Sequence, residues 1–253
     1  MNITILRLDT IDSTNTEAAR QAKLSADEGL CVIARQQNAG RGRHGRTWVS
    51  EKDAGLYFSI VLRPKIDMRF LPLITLMTGV AVYDALAELG LEPDIKWVND
   101  ILIGDKKICG ILTETVETPT GLAVIVGIGI NLASRNFPNE IPETATSIEA
   151  ALSMPVAAGT EEIETLLTKY LGYWYATLCS ENGRAKILKE WRRRSSYFSG
   201  KSVRVTLEDS TFEGTTDGLE ENGALRVKMR DGSIKIVQAG DVERLRKIER
   251  LEV

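Results

Sequence analysis

Short apolar runs separated by polar breaks fill the first half of the chain, and each run predicts a strand or a helix. Ile3 to Leu8 reads as a strand. Asp12 and Ser13 are good N-caps, so a helix is expected from there to about residue 24. The runs Leu30-Cys31-Val32-Ile33-Ala34 and Leu56-Tyr57-Phe58-Ser59-Ile60-Val61-Leu62 predict two buried strands. Residues 69–89 are apolar nearly all round, which predicts a helix sandwiched against a sheet. Gly90 ends it. Residues 94–103 read as strand, polar break and strand, and residues 106–115 as another strand. Leu122 to Asn131 predicts a central strand with Gly127 and Gly129 pointing the same way.

The second half differs. Residues 133–158 carry Pro138, Pro142 and Pro155 and are expected to be mostly loop, with a short helix near 147–152. Thr160 is expected to cap an amphipathic helix bearing Ile163, Leu166, Leu167, Tyr170, Leu171, Trp174, Tyr175 and Leu178 at helical spacing. A further helix is expected over residues 185–197, with Arg192, Arg193 and Arg194 as a solvated face. After Gly200 the period becomes two: Val203, Val205 and Leu207, then Leu225, Val227 and Met229, then Ile234 and Ile236. Short strands at this spacing predict a small SH3-like barrel. The fold class is therefore α+β: a mixed β-sheet flanked by helices over residues 1–199, with the barrel over 200–253.

Composition narrows the function. At 253 residues, 43% hydrophobic and 26% charged, the chain is ordinary for a globular protein. A net charge of −3 argues against a general nucleic-acid binder. From residue 201 on, ten Lys/Arg face eleven Asp/Glu, so the barrel is not a backbone-neutralising surface either. Three scattered cysteines and one histidine leave no disulfide framework or zinc site in view. The N-terminus does not read as a signal peptide, and the apolar stretch after Phe70 is broken by polar residues. A cytoplasmic protein with no membrane partner is expected.

The candidate chemistry lies between the two buried strands. Residues 36–48 hold three glycines, three arginines and the chain's histidine, with no acidic residue. Glycine lets backbone approach a ligand closely, and arginine presents a planar fork to phosphate or carboxylate. The loop is either a lid on an anion or a solvated basic loop. Lys96, Asn99, Asp100 and Lys107 put further polar groups where a core should be, with positive charge in excess. Lys96 and Asp100 could simply pair on the rim.

Five blocks then carry a resemblance. They are Asp12-Ser13-Thr14-Asn15; Gln37-Asn38-Ala39-Gly40-Arg41-Gly42-Arg43-His44-Gly45-Arg46-Thr47-Trp48; Lys96-Trp97-Val98-Asn99-Asp100; Lys107-Ile108-Cys109-Gly110-Ile111-Leu112-Thr113-Glu114; and Gly127-Ile128-Gly129-Ile130-Asn131. In order and spacing they resemble the biotin protein ligases. The resemblance covers about residues 3–195, and the C-terminal barrel is also similar to the family's end domain. It implies a biotin/lipoate ligase core, like that of class II aminoacyl-tRNA synthetases. It also implies biotin and ATP with Mg²⁺ as reactants, and a biotin carboxyl carrier protein as acceptor. With no helix-turn-helix ahead of residue 3, the chain looks like the ligase-only type, without DNA binding. A homodimer through a sheet edge is common among such proteins.

Site roles follow from the same resemblance. Lys107 would hold the biotin carboxylate. Ser13, Thr14, Asn15 and Gln37 would meet the ureido end, and Gly110, Gly127 and Gly129 would leave room for the ligand. Arg41, Arg43 and Arg46 would offset phosphate charge. Trp48 would face the adenine and Asn131 the adenosine. Asn99 and Asp100 would orient phosphate, metal or amine, and no metal ligand is named. Two departures stand out: Val98 where the family has proline, and Cys109 where many members have alanine. Cys109 beside Lys107 keeps a second reading open, a lipoate ligase or an octanoyl or lipoyl transferase on the same scaffold. His44 is read as a loop residue.

Overall fold

The computed structural model describes residues 1–133, 144–153 and 160–244. Pro138, Pro142 and Pro155 of the expected loop lie outside the described residues. Seven strands form the main sheet: β1 (Thr4–Ile11), β2 (Leu30–Gln37), β3 (Gly55–Leu62), β4 (Pro93–Lys96), β5 (Asp100–Ile103), β6 (Lys106–Thr118) and β7 (Gly121–Asn131). Their order is β1-β2-β3-β7-β6-β5-β4. β1 and β2 are parallel and every other neighbouring pair is antiparallel, so the sheet is mixed.

Each face has its own cover. The even-numbered residues of β7, from Val124 to Ile130, join the large core with Leu56, Phe58 and Ile60 of β3. That core is closed by helix α2 (Pro72–Glu88), which is buried on most sides as its composition dictates. The longer segment Met68–Glu88 is long and apolar enough to cross a bilayer, but here it lies mostly inside the protein. Helices α4 (Thr160–Leu178) and α5 (Gly183–Arg193) pack behind it. On the opposite face, helix α1 (Thr14–Lys23) lays Ala18 and Ala22 on Val32, Val61, Ala123 and Ile125. α1 covers only part of this face, and the remainder is open. The short α3 (Ile148–Leu152) follows Ser147, whose side chain accepts from the Ala150 N–H.

The C-terminal unit is a five-stranded antiparallel sheet of the SH3-like type expected. Its strands are β8 (Ser199–Thr206), β9 (Thr211–Leu219), β10 (Leu225–Lys228), β11 (Ile234–Val237) and β12 (Asp241–Arg244), in the order β11-β10-β9-β8-β12. Val203, Val205, Leu225, Val227, Val237 and Val242 are buried and continuous with the main core. Trp97, in the β4–β5 turn, donates its indole N–H to the Gly223 carbonyl at 3.0 Å and so ties this unit to the main sheet.

Several expectations are corrected. Thr160 lies inside α4 rather than ahead of it. α5 stops at Arg193, short of residue 197. Arg194 is not part of a solvated face: its guanidinium is half-buried between Asp84 (2.8 Å) and Glu190 (2.6 Å). Ile234 and Ile236 alternate but face solvent, because they lie on the outer face of β11 and Val237, on the other face, supplies its buried contact.

Candidate active site

Strand register builds the floor of the site. Ala34, Tyr57, Gly129, Gly110, Asp100 and Lys96 stand side by side in one row from β2 to β4. Val32, Ser59, Gly127 and Leu112 form the next row. Side chains two apart on a strand share a face, so both rows belong to the face that α1 partly covers, with Val32 under the helix and the first row beyond it. The result is a cavity of about 340 Å³, a size that suits a small ligand.

Lys107 reaches this floor through a bulge. Simple alternation along β6 would send residues 107 and 110 to opposite faces. The β5–β6 register shifts between Ile101 and Leu102, pairing Ile101 with Cys109 and Leu102 with Lys107. Ile108 and Cys109 both enter the core, and the extra residue re-aims Lys107 to the cavity. Its backbone is clamped on the other side, where the Lys107 N–H donates to Thr144 O and the Thr146 N–H donates to Lys107 O, each at 2.9 Å. Lys107 Nζ pairs with Asp100 Oδ1 at 2.7 Å, while Lys96 Nζ lies 3.7 Å from Asp100 Oδ2. The rim pairing of Lys96 with Asp100 is therefore the looser half of a three-member cluster.

The opposite end is neutral. Ser13 stands at the N-cap of α1 with extended backbone, yet its side chain makes no capping bond. It is a cap by position alone. The Thr14 N–H donates to Gln37 Oε1 at 2.8 Å, and Gln37 Nε2 donates to Ser50 Oγ at 2.7 Å. Ser59 Oγ lies 2.8 Å from Thr14 Oγ1 and 2.7 Å from Asn15 Oδ1. Asn15 Nδ2 donates to Glu114 Oε2 at 2.9 Å, and Glu114 pairs with Arg41 through its other oxygen. The room left by the glycines is occupied. A Cβ on Gly127 would sit 2.1 Å from Asn15 Oδ1, and one on Gly129 would sit 2.5 Å from the Trp48 ring. Trp48 thus lies flat on the floor, with Lys107 Nζ 5.3 Å from its ring centre. Its Nε1 is buried without a hydrogen-bond partner, an unmet donor inside the site.

The arginine loop folds back over the cavity. Arg41 bridges Thr47, the Trp48 N–H donates to Gly40 O at 2.9 Å, and the Gly42 N–H donates to Arg46 O at 2.7 Å. Its outer end meets the C-terminal unit. Arg43 donates to Asn99 Oδ1 (3.0 Å) and Gly240 O (3.2 Å), and Arg46 pairs with Asp241 at 2.8 Å. Burial holds the Arg43 guanidinium below its usual pKa, against the pull of Asp241 and Asp100. His44 is exposed on the loop in a left-handed conformation (φ 53°). Cys109 is buried and faces the core, and burial pushes its thiol pKa well up.

Every residue named from the sequence as a site residue lines this one cavity: Ser13, Thr14, Asn15, Gln37, Arg41, Arg43, Arg46, Trp48, Asn99, Asp100, Lys107, Gly110, Gly127, Gly129 and Asn131. Asn131 spends its amide on Thr146 O at 2.9 Å, so it anchors the segment that holds Lys107. Sequence reasoning missed Ser59, Gly240 and Asp241, and quoted Glu114 in a motif block without giving it a role. Ser59 had one signal, a polar residue inside an apolar run. Among the described residues no group of three or more His, Cys, Asp or Glu could hold a metal ion.

Residues 8–131 match the biotin/lipoate A/B protein ligase family, and residues 198–245 match the biotin protein ligase C-terminal domain. Fold and site thus define a ligase of the biotin/lipoate class. The chain is 36% identical over 240 residues to the bifunctional ligase/repressor BirA of Bacillus spizizenii, covering 93% of this chain and 72% of that protein. It is 33% identical to the biotin–[acetyl-CoA-carboxylase] ligase of Paracoccus denitrificans, covering 91% of this chain and 96% of that one. The biotin protein ligase of Aquifex aeolicus, solved in complex with biotin and ATP, superimposes with a TM-score of 0.83 at 27% identity, covering 96% of this chain and 99% of that one. The chain belongs to the biotin protein ligases.

Proposed function

We infer that the protein activates biotin with MgATP to biotinyl-5′-adenylate and pyrophosphate, then transfers biotin to a lysine of a carrier domain. The observation that carries this reading is Lys107, re-aimed by the bulge to stand between the neutral end and the arginine loop. In the first step a biotin carboxylate oxygen attacks the α-phosphorus and the bond to the bridging oxygen breaks. Total charge is unchanged, so no general base is needed. The obstacle is repulsion between two anions, and Lys107 with Arg41, Arg43 and Arg46 offsets it. Asp100 orients Lys107, and Asn99 orients Arg43. Mg²⁺ would enter with the ATP phosphates as part of the substrate.

Ser13, Thr14 and Gln37 read the ureido end, while Asn15 acts through the Ser59 and Glu114 contacts that fix it. Trp48 forms a flat wall for the adenine, and its unpaired N–H awaits a ligand acceptor. Asn131 supports the adenosine side by holding residues 144–146. In the second step the carrier amine attacks the acyl carbon, AMP leaves, and the surplus amine proton passes to solvent. The closed loop keeps water from the mixed anhydride.

On this reading residues 1–199 are the catalytic unit, and residues 200–253 close its phosphate end. The acceptor is the biotin carboxyl carrier domain of a carboxylase, the setting is the cytoplasm, and DNA is not a ligand. A homodimer would form through β1, an edge strand with Ile5 exposed on it and Ile3 exposed just ahead of it. The deciding experiment is mass spectrometry of a biotin carboxyl carrier domain after incubation with the protein, biotin and MgATP. A biotin adduct on one lysine is expected. Pyrophosphate release with lipoate but not with biotin would sink the reading in favour of a lipoate ligase.

A further inference from the structure

One charged group stands behind the neutral end without lining the cavity. Glu114 lies on β6 two residues past Leu112, against the first turn of α1. Its carboxylate is divided: Oε1 accepts from Arg41, and Oε2 accepts from Asn15 Nδ2 at 2.9 Å. An ionised carboxylate has only acceptors to offer. The Leu112 carbonyl, 3.3 Å from the same nitrogen, also only accepts. The Asn15 amide is therefore held one way round, with Nδ2 towards β6 and Oδ1 towards Ser59.

That orientation passes along the chain of side chains. A hydroxyl has one hydrogen to give. Asn15 Oδ1, 2.7 Å from Ser59 Oγ, can only accept, so it takes the Ser59 hydrogen. Thr14 Oγ1, 2.8 Å from Ser59 Oγ, must then donate to it. From the other side, Ser50 Oγ gives its hydrogen to the Trp48 carbonyl at 3.0 Å and so accepts from Gln37 Nε2. The two chains of donation run away from one another. They leave Thr14 Oγ1 and Gln37 Oε1 side by side, 3.1 Å apart, each with a lone pair unspent. Both residues line the cavity, whereas Ser59 and Glu114 stand behind it. Two adjacent acceptors call for a ligand edge that offers N–H groups, and a cyclic urea has two.

We propose that Glu114 is a positioning residue that sets the hydrogen-bond polarity of the neutral end, and with it the preference for a ring bearing N–H donors over a ring without them. This rests on the activation of biotin proposed above and names a residue that selects the substrate without touching it. Glutamine has one acceptor oxygen where glutamate has two. In Glu114→Gln, Arg41 keeps that oxygen and the side-chain NH2 faces Asn15. Asn15 then turns its amide, Ser59 donates to Thr14, and Thr14 gives its hydrogen to Gln37. Gln37 Oε1 already holds the Thr14 N–H, so it is filled and one of the two acceptors is lost to the ligand. Adding Asn15→Asp reverses this. Position 15 then accepts both from the new amide and from Ser59, and the original polarity returns with net charge unchanged.

The test uses the full-length protein. Biotin affinity is read by isothermal titration calorimetry without ATP, and KM and kcat by biotin-dependent ATP–pyrophosphate exchange with MgATP. Glu114→Gln should weaken biotin binding and raise its KM by about tenfold or more, with kcat and the KM for ATP within about threefold. The double variant Glu114→Gln, Asn15→Asp should recover most of that loss. Normal biotin affinity in Glu114→Gln would overturn the inference, as would a loss that the double variant deepens. A fall in kcat at normal KM for biotin would confine Glu114 to holding Arg41 and overturn it too. If Glu114→Gln melts early, Ser59→Ala breaks the same chain one residue on and frees the Thr14 hydrogen for Gln37. Its KM for biotin should rise with kcat little changed, and a normal KM there sinks the proposal. An unmodified protein that neither binds biotin nor supports biotin-dependent exchange would instead defeat the activation reading itself, so the two failures are distinct.

Discussion

At the Thr14 end of the cavity, Thr14, Asn15, Ser50 and Ser59 are buried, and Gln37 completes a hydrogen-bonded chain in which donors meet acceptors. At the Lys107 end the contacts are ion pairs, and the one that holds the outer end of the loop is open to solvent: Arg46 and Asp241 are 58% and 37% exposed. The two ends hold their shape by different means. A buried hydroxyl or amide left unmet costs about 1–3 kcal/mol, so the neutral chain is rigid before any ligand arrives. An exposed ion pair contributes only about 0–1 kcal/mol. A polyphosphate with charge-assisted, bidentate contacts outbids such a pair. Asp241 thus acts as a weak resting partner that Arg46 can exchange for phosphate. One end is preformed and selects shape. The other is loosely held and responds to charge.

The largest predicted effect lies at the centre of the charged end. Lys107→Ala should lower biotin-dependent pyrophosphate exchange by about 10³-fold and leave the melting temperature nearly unchanged, because Asp100 keeps Lys96. A variant within tenfold of the unmodified rate would remove Lys107 from the chemistry. Next comes Arg43→Ala, which cuts the loop's bonds to Asn99 and Gly240. Retention of the adenylate should weaken by about tenfold, or about 1.4 kcal/mol, read as the rate at which labelled biotinyl-adenylate leaves the protein. Unchanged leakage would mean that the loop is not held shut from this side.

How much of this could be read beforehand depended on the range of the interaction. The strands and α2 were legible because burial is written into apolar period and length. The site residues were legible as motif blocks, and all of them meet in one cavity. Orientation was less legible. Lys107 and Gly110 share a face only because a bulge at Ile108 breaks alternation, and no residue type there announces a bulge. Ser59 was concealed in a strand that otherwise reads as pure core. Asp241 lies 195 residues from Arg46 and has no local pattern at all. Ile234 and Ile236 followed the right period but lie on the outer face of their strand, which only the packed structure reveals.

Ser59→Ala probes the neutral end. Ser59 is fully buried, and its hydroxyl joins Thr14 to Asn15. Its loss should cost about 1–2 kcal/mol of stability, a fall of roughly 2–8 °C in melting temperature at this chain length. The KM for biotin should rise several-fold with kcat little changed, since the ligand's pocket loosens while the cations stay in place. A drop in kcat with normal KM would show that the two ends are not separate in function.

Cys109→Ala should have the smallest effect, and it tests whether either end uses covalent chemistry. Cys109 pairs in register with Ile130, on the core side of the sheet and away from the floor. A thioester route requires a thiolate, and burial raises this thiol's pKa well above the ordinary 9.0. The folded protein therefore keeps the proton as pH rises past 9, where the unfolded thiol loses it. The group favours folding fully below pH 9 and progressively less above it. At pH 8 iodoacetamide should label Cys179, which is exposed, and spare Cys109 and Cys31. Cys109→Ala should keep both half-reactions within about twofold and cost less than about 1.5 kcal/mol. If this variant folded normally but no longer labelled the carrier, acyl transfer through sulfur would have to replace the adenylate route. The charged end would then be a binding site for the nucleotide alone.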